Sequence, residues 1–300
     1  MRLNILMVFL LTWGTVTPLV QGQEGAMALP ELLNRAESQL AQGDYPSAIQ
    51  TLKEVLELQP EHKAARMALI DALMRSQAPD EAQSEMEALL NQFPTDSQVA
   101  VYGAAMAFSK TQFERAVELA TRAIALRNTP VEAYRIRAFS YFMLEDYEKY
   151  KTDLLQMAEV DPESGEPHYH LGRFYYENQQ FSEGLAALRK AVEVEPSHYK
   201  AHYFLGWCLQ AQGDLESAKS SYRTSIQLVE AQKMGYGWPF VDLGEILITE
   251  GNMDDGLGWL YRALRNDPQL SYGHYKYASA LMKTGPTPEV EQHLDKAIAL

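Results

Sequence analysis

Small residues recur at a fixed interval along this chain, and that interval constrains the fold more than any other feature. Ala48, Ala82, Ala116, Tyr150, Gly184 and Ala218 follow one another at 34 residues; the step lengthens once, to 38, at Gly256 and returns to 34 at Val290. A second column stands twelve residues ahead of each: Ala36, Ile70, Ala104, Ala138, Gly172, Gly206, Gly244 and Ala278. Helix backbones approach closely only where the side chains between them are small, so two such columns mark the contact line of an antiparallel helical hairpin. Four and seven residues after the Ala48 column come apolar pairs such as Leu52 and Val55, or Leu188 and Ala191, on the same helical face. Self-similarity at this period predicts an array of short hairpins.

The punctuation agrees. Pro60, Pro94, Pro162, Pro196 and Pro268 stand twelve residues beyond the Ala48 column, with Asn128 and Glu230 as the exceptions, and proline closes one helix and opens the next. Between the paired helices lie Gly43-Asp44, Glu145-Asp146, Gly213-Asp214, Gly251-Asn252 and Gly285-Pro286, turns in which Gly or Asn supplies the positive backbone angle. One large apolar or aromatic residue follows each turn (Tyr45, Phe113, Tyr147, Phe181, Leu215, Met253) and is expected to plug the hairpin end.

The 34-residue unit, its Leu171-Gly172, Leu205-Gly206 and Leu243-Gly244 pairs, Tyr141 and Tyr175, the alanine column and the closing proline resemble the tetratricopeptide repeat. The resemblance implies an all-α solenoid of about eight helix-turn-helix repeats wound into a right-handed superhelix, at about 29–62, 63–96, 97–130, 131–164, 165–198, 199–232, 237–270 and an incomplete 271–300. Ile70, Tyr150 and Val290 depart from the small-residue pattern and put local packing in question there. Four extra residues near Lys233-Met234-Gly235-Tyr236 are expected to lengthen a helix or bend the stack, either as a tolerated loop or as the wall of a groove.

Ahead of the array, Arg2 is followed by the apolar run Leu3 to Trp13 and by the breakers Gly14, Thr15, Thr17 and Pro18. That is the layout of a secretory signal peptide at 1–22, with the mature chain beginning at Gln23 and residues 23–300 forming the solenoid. A retained anchor is the competing reading, but a span needs about 20 apolar residues and the glycine and proline interrupt this one. The expected location is therefore periplasmic or secreted, with no membrane association after cleavage.

The chain carries 26 Lys plus Arg against 40 Asp plus Glu, a net charge of -14, which repels phosphate backbones. No nucleic acid partner is expected. The one cysteine, Cys208, lies inside a first helix between Trp207 and Leu209 and reads as a buried, inert thiol. His198 and His202 are four apart, but His168, His202 and His274 each stand 16 residues before the Ala48 column, a recurrence that points to repeat packing. No third ligand completes a metal set, no nucleophile or phosphate-binding motif is present, and Asp254-Asp255 fit a helix start. No cofactor, metal or catalytic residue is assigned, and the chain is read as non-enzymatic.

Residues 23–130 hold five aromatic residues and residues 131–277 hold 24. On the first helix of the later units, positions spaced by four and three form a face apart from the small columns: Arg135, Phe139, Phe142; Tyr169, Arg173, Tyr176; Tyr203, Trp207, Gln210; Val241, Glu245, Ile248; and Tyr275, Ser279, Met282. The resemblance implies that first helices line a concave face where peptides or partner proteins bind, and Tyr, Trp and Arg are the usual anchors of such surfaces. The competing reading is that these rings fill contacts between neighbouring first helices. Proteins of this family that capture acidic chaperone tails carry a Lys/Asn clamp, where this chain has Leu33 and Glu37. The expected function is an exported scaffold binding a protein or peptide through Arg135, Phe139, Phe142, Tyr169, Arg173, Tyr176, Tyr203, Trp207, Gln210 and Tyr275. Two alternatives stand beside it: the recruiting region of a larger exported enzyme, and a homo-oligomer joined through Leu294 and Ile298 of the final helix.

Overall fold

The computed structural model describes residues 28–126 and 131–300. Residues 1–22, where a signal peptide is expected, and Asn128, at one of the two missing closing prolines, lie outside the described residues. Within them the chain forms sixteen helices and no strand. In order they are α1 (Leu29–Gln42), α2 (Tyr45–Leu58), α3 (Lys63–Arg75), α4 (Pro79–Gln92), α5 (Ser97–Ser109), α6 (Phe113–Ala125), α7 (Val131–Met143), α8 (Tyr147–Val160), α9 (Glu166–Glu177), α10 (Phe181–Val194), α11 (Tyr199–Ala211), α12 (Leu215–Ala231), α13 (Trp238–Thr249), α14 (Met253–Asn266), α15 (Ser271–Met282) and α16 (Pro288–Ala299). None is long and apolar enough to cross a membrane.

Contacts divide the chain into two compact units, one ending at Tyr147 and one running from Glu148 to Leu300. In the first unit, each helix from α1 to α6 packs on its successor and α5 also touches α7. Its core gathers Leu32, Leu52, Leu69, Met86, Leu89 and Leu119. In the second unit, α9 to α16 repeat the arrangement, with α9 also touching α11 and α13 touching α15. Each buried leucine of such a core contributes about 1.5–3 kcal/mol.

The small columns do what close approach requires. A Cβ on Gly206 would collide with the ring of Tyr222, which fills the space the glycine leaves. Gly244 and Gly256 face each other, so that a Cβ on Gly244 would lie 2.9 Å from the Gly256 carbonyl. The three departures are absorbed: Ile70, Tyr150 and Val290 are all buried, and Tyr150 sets its ring edge-on to Phe174 at 5.6 Å.

The hairpin turns differ from the sequence expectation. A positive φ recurs at the same place in every pair, but glycine holds it only at Gly43, Gly213, Gly251 and Gly285; Gln77, Thr111, Glu145 and Gln179 hold it in the others. The geometry survives without glycine because two backbone bonds close each turn, as where Thr111 N–H donates to Phe108 O and Gln112 N–H to Ala107 O. The plugs pack onto the last turn of the preceding helix: Phe113 on Phe108 at 5.5 Å, Tyr147 on Phe142 at 5.8 Å and Phe181 on Tyr176 at 5.7 Å.

The loops between hairpins are clasped by side chains. His202 Nε2 lies 3.0 Å from the carbonyl of Pro196 and His274 Nε2 lies 3.1 Å from that of Pro268; Arg66 donates to Pro60 O in the same way. His62 and His198 instead cap helices, their Nδ1 atoms accepting from Ala65 N–H and Ala201 N–H at 3.1 Å.

The insertion lengthens a helix. With Glu230 in place of the closing proline, α12 runs for 17 residues against 14 in α10, and ends at a left-handed Lys233. The extra chain then folds back: Asn266 accepts from Tyr236 N–H and donates to Met234 O. This seats the Tyr236 ring 5.2 Å from Tyr199 and 5.5 Å from Tyr203.

Candidate functional site

The first helices of the second unit, α9, α11, α13 and α15, carry the residues on which a binding face depends. The small column of each helix faces its own hairpin partner, so the question is which remaining flank stays open. Tyr169, Tyr203 and Val241 turn inward and are buried. Tyr169 packs on His198 at 4.7 Å and on Phe204 at 5.7 Å. The open stripe begins one residue further along each helix, at His170, Phe204, Asp242 and Lys276, and continues through Arg173, Trp207, Glu245 and Ser279, all partly exposed. That offset is one step of about 100° around a helix of 3.6 residues per turn.

The rings on this stripe touch one another across neighbouring helices. Tyr176 of α9 lies 4.9 Å from Trp207 of α11, and Phe204 lies 5.5 Å from Trp207. Arg173 is held by Glu177 at 2.7 Å while its guanidinium stands 5.8 Å from the Phe204 ring. Tyr176 also receives Phe181, so part of its surface serves the hairpin end. Gln210 is exposed and accepts from the Tyr222 hydroxyl at 2.7 Å. Tyr275 is 49% exposed, which leaves half its surface for a partner. In the first unit Arg135 pairs with Glu132 at 2.9 Å, Phe139 is partly exposed and Phe142 carries the Tyr147 plug.

The residue that sequence reasoning missed is Asp242. Its Oδ2 accepts from the Trp207 indole N–H at 2.6 Å, tying α13 to α11 across 35 residues of chain. The Tyr203 hydroxyl lies beside the same carboxyl but is buried without a hydrogen bond of normal geometry. Burial pushes the Asp242 carboxyl up to about 6, only partly offset by its hydrogen bonds; nearby Glu245 adds to the rise and Lys276 opposes it. Lys276 is committed elsewhere, pairing with Glu245 at 2.5 Å and lying 4.9 Å from the Tyr272 ring. The available signal was the stripe itself: one place after the aromatic column, the sequence gives His170, Phe204, Asp242 and Lys276 in successive units.

Among the described residues there is no group of three or more His, Cys, Asp or Glu placed to hold a metal ion. Cys208 is buried, and burial pushes its thiol up to about 12, far from the thiolate a nucleophile needs.

Stacked helical hairpins that expose side-chain stripes along successive first helices define a repeat scaffold for protein–protein interaction. Residues 39–106 and 169–230 each match the sequence profile of the tetratricopeptide repeat. Both units thus carry tetratricopeptide repeats, within an all-α fold of stacked helical hairpins. The chain is 28% identical over 101 residues to an uncharacterized TPR repeat-containing protein of Arabidopsis thaliana, a match covering 34% of this chain and 12% of the length of that relative. Among solved structures it is similar to yeast Tom70, with a TM-score of 0.61 and 17% identity over 96% of this chain and 63% of that one. It is also similar to the C-terminal part of a TPR repeat-containing protein from Cytophaga hutchinsonii, with a TM-score of 0.60 and 14% identity over 87% of this chain and 98% of that one. At these identities the likeness is one of fold.

Proposed function

We propose that this protein is an exported, non-catalytic scaffold that holds a protein or peptide against the first-helix stripe of its second unit. The observation that carries the reading is the run of partly exposed rings and charges at Tyr176, Phe204, Trp207, Asp242, Lys276 and Tyr275. Aromatic rings held in place by their neighbours offer contact area at little entropic cost, the property that makes them interface anchors. Export is supported by the Arg2 and Leu3 to Trp13 pattern, and absence of catalysis by the lack of any assembled nucleophile, acid–base pair or cofactor cradle in the sequence.

Photo-crosslinking tests the binding face. A benzophenone side chain placed at Tyr275 captures a defined protein in the native host, and Trp207→Ala abolishes the crosslink while far-ultraviolet circular dichroism stays unchanged. Capture that persists undiminished in Trp207→Ala refutes this face. The intact mass of the native protein tests export: a chain beginning at Gln23 supports it, and one beginning at Met1 refutes cleavage.

A further inference from the structure

Asp242 is a carboxylate that the chain itself leaves without a counter-ion. It forms no ion pair among the described residues, and the cations nearest on the stripe are taken: Lys276 by Glu245 and Arg173 by Glu177. An unpaired, desolvated charge is costly, and nothing in the hairpin packing requires an acid here, because the Trp207 indole would be equally served by a neutral acceptor. Around the carboxyl stand the rings of Trp207, Tyr203 and Tyr236, with Tyr203 5.2 Å from Trp207 and 5.5 Å from Tyr236. Aromatic faces carry partial negative charge and attract cations. The Tyr203 hydroxyl, buried beside the acid, points its proton to the same carboxyl. The net charge of -14 favours the approach of a basic partner.

We propose that Asp242 anchors a cationic side chain, an arginine or lysine, of the protein or peptide bound on this face. The proposal rests on the reading of the stripe as a binding face and adds the chemistry of its occupant. A carboxylate accepting from Trp207 keeps lone pairs free for a guanidinium or ammonium group. The titratable and charged groups that face it are Tyr203 and Tyr222 from α11 and α12, Tyr236 from the insertion, Glu245 from its own helix and Lys276 from α15. Of these, the carboxyl of Asp242, held near 6, is the one that changes charge between pH 5 and pH 7.5, so binding strengthens as pH rises through that range.

The test uses the whole protein, 15N-labelled, with the Trp207 indole signal assigned through Trp207→Phe. The probe is acetyl-Gly-Arg-Gly-amide, and its control is the same peptide with neutral citrulline in place of arginine. The arginine peptide is expected to shift the Trp207 signal saturably in the millimolar range. The citrulline peptide should bind at least about tenfold more weakly, and lowering the pH from 7.5 to 5 should weaken the arginine peptide by about tenfold. Asp242→Asn should remove the difference between the two peptides, and Asp254→Asn, at an exposed acid on α14 away from the stripe, should leave it in place. Equal affinity for both peptides, no pH effect, an undiminished difference in Asp242→Asn, or no saturable shift at all overturns the proposal. The peptide and pH arms need only the native protein, so they decide the matter even if the variant fails to fold. If the Tyr275 crosslink survives Asp242→Asn but not Trp207→Ala, the cationic anchor fails and the binding face stands; if Tyr275 captures nothing, the face itself fails.

Discussion

Replacing Asp242 by Asn should make the second unit more stable at pH 8, and the size of the gain follows from the carboxyl's surroundings. Its folded-state value, pushed up to about 6 by burial, lies above the ordinary value of 3.8. The folded state therefore holds the proton more tightly than the unfolded chain. Asp242 contributes its full stability below about pH 3.8 and loses it as pH rises through 6. A displacement of about two units corresponds to nearly 3 kcal/mol at ~1.4 kcal/mol per unit. Because the residue is only partly buried, the expected gain is smaller, on the order of 1–2 kcal/mol. Asparagine keeps a side-chain oxygen for the Trp207 indole, so the contact between α11 and α13 is preserved. Urea unfolding followed by tryptophan fluorescence reads this unit, since Trp207, Trp238 and Trp259 all lie in it and the remaining tryptophan, Trp13, lies ahead of the helical array. The variant should gain midpoint at pH 8 and match the native protein at pH 4. A variant less stable than the native protein at pH 8 would show that the carboxylate is a stabilising element, and the counter-ion argument would fail with it.

Three further expectations follow from the packing and the turns. Gly206→Ala, which drives a Cβ into the Tyr222 ring, should destabilise the second unit by about 2 kcal/mol in the same fluorescence assay, and a change under ~0.5 kcal/mol would mean the ring moves aside freely. Thr111→Gly should stabilise the first unit by about 0.5–1 kcal/mol in thermal unfolding, because threonine holds a φ of 59° there and the gain outweighs the loss of its bond to Lys110 O. Burial lowers His62 and His198 from their ordinary value of 6.5, and each serves its helix as a neutral acceptor. Their contribution is complete above pH 6.5 and is lost as pH falls through the lowered values, at about 1 kcal/mol per cap; His198→Asn, which caps without titrating, should flatten the acid limb of the stability curve.

The hairpin array was legible because backbone proximity leaves a mark in the sequence: Ala or Gly recurs on schedule at most places where two helices touch, and the three larger residues, Ile70, Tyr150 and Val290, do not obscure the period. The turns were half legible. Glycine announces a positive φ, but Gln77, Thr111 and Gln179 adopt it because the flanking hydrogen bonds impose it, and nothing in those side chains signals the conformation. Of the residues read as a face in the second unit, Tyr169 and Tyr203 are buried, whereas Arg173, Tyr176, Trp207, Gln210 and Tyr275 keep surface open. The small columns locate the contact within a hairpin, whereas the flank that meets the next hairpin depends on how far successive pairs rotate, which the spacing of residues within one helix does not encode. Tyr203 was read as a face residue for that reason and is buried. Asp242 escaped notice because its meaning lies in what surrounds it, an indole donor and a buried tyrosine hydroxyl from the preceding first helix.

Within each unit, every substantial contact joins successive helices or the first helices of adjacent pairs, and the side-chain bond from Trp207 to Asp242 spans 35 residues. Contact order is therefore low despite the length of the chain, and loop closure costs little at any step. Such a polypeptide has no distant segment to wait for. Each hairpin can close as soon as it and its predecessor are present, so a chain emerging end-first, from a ribosome or through a narrow passage, can build its structure in the order in which it appears.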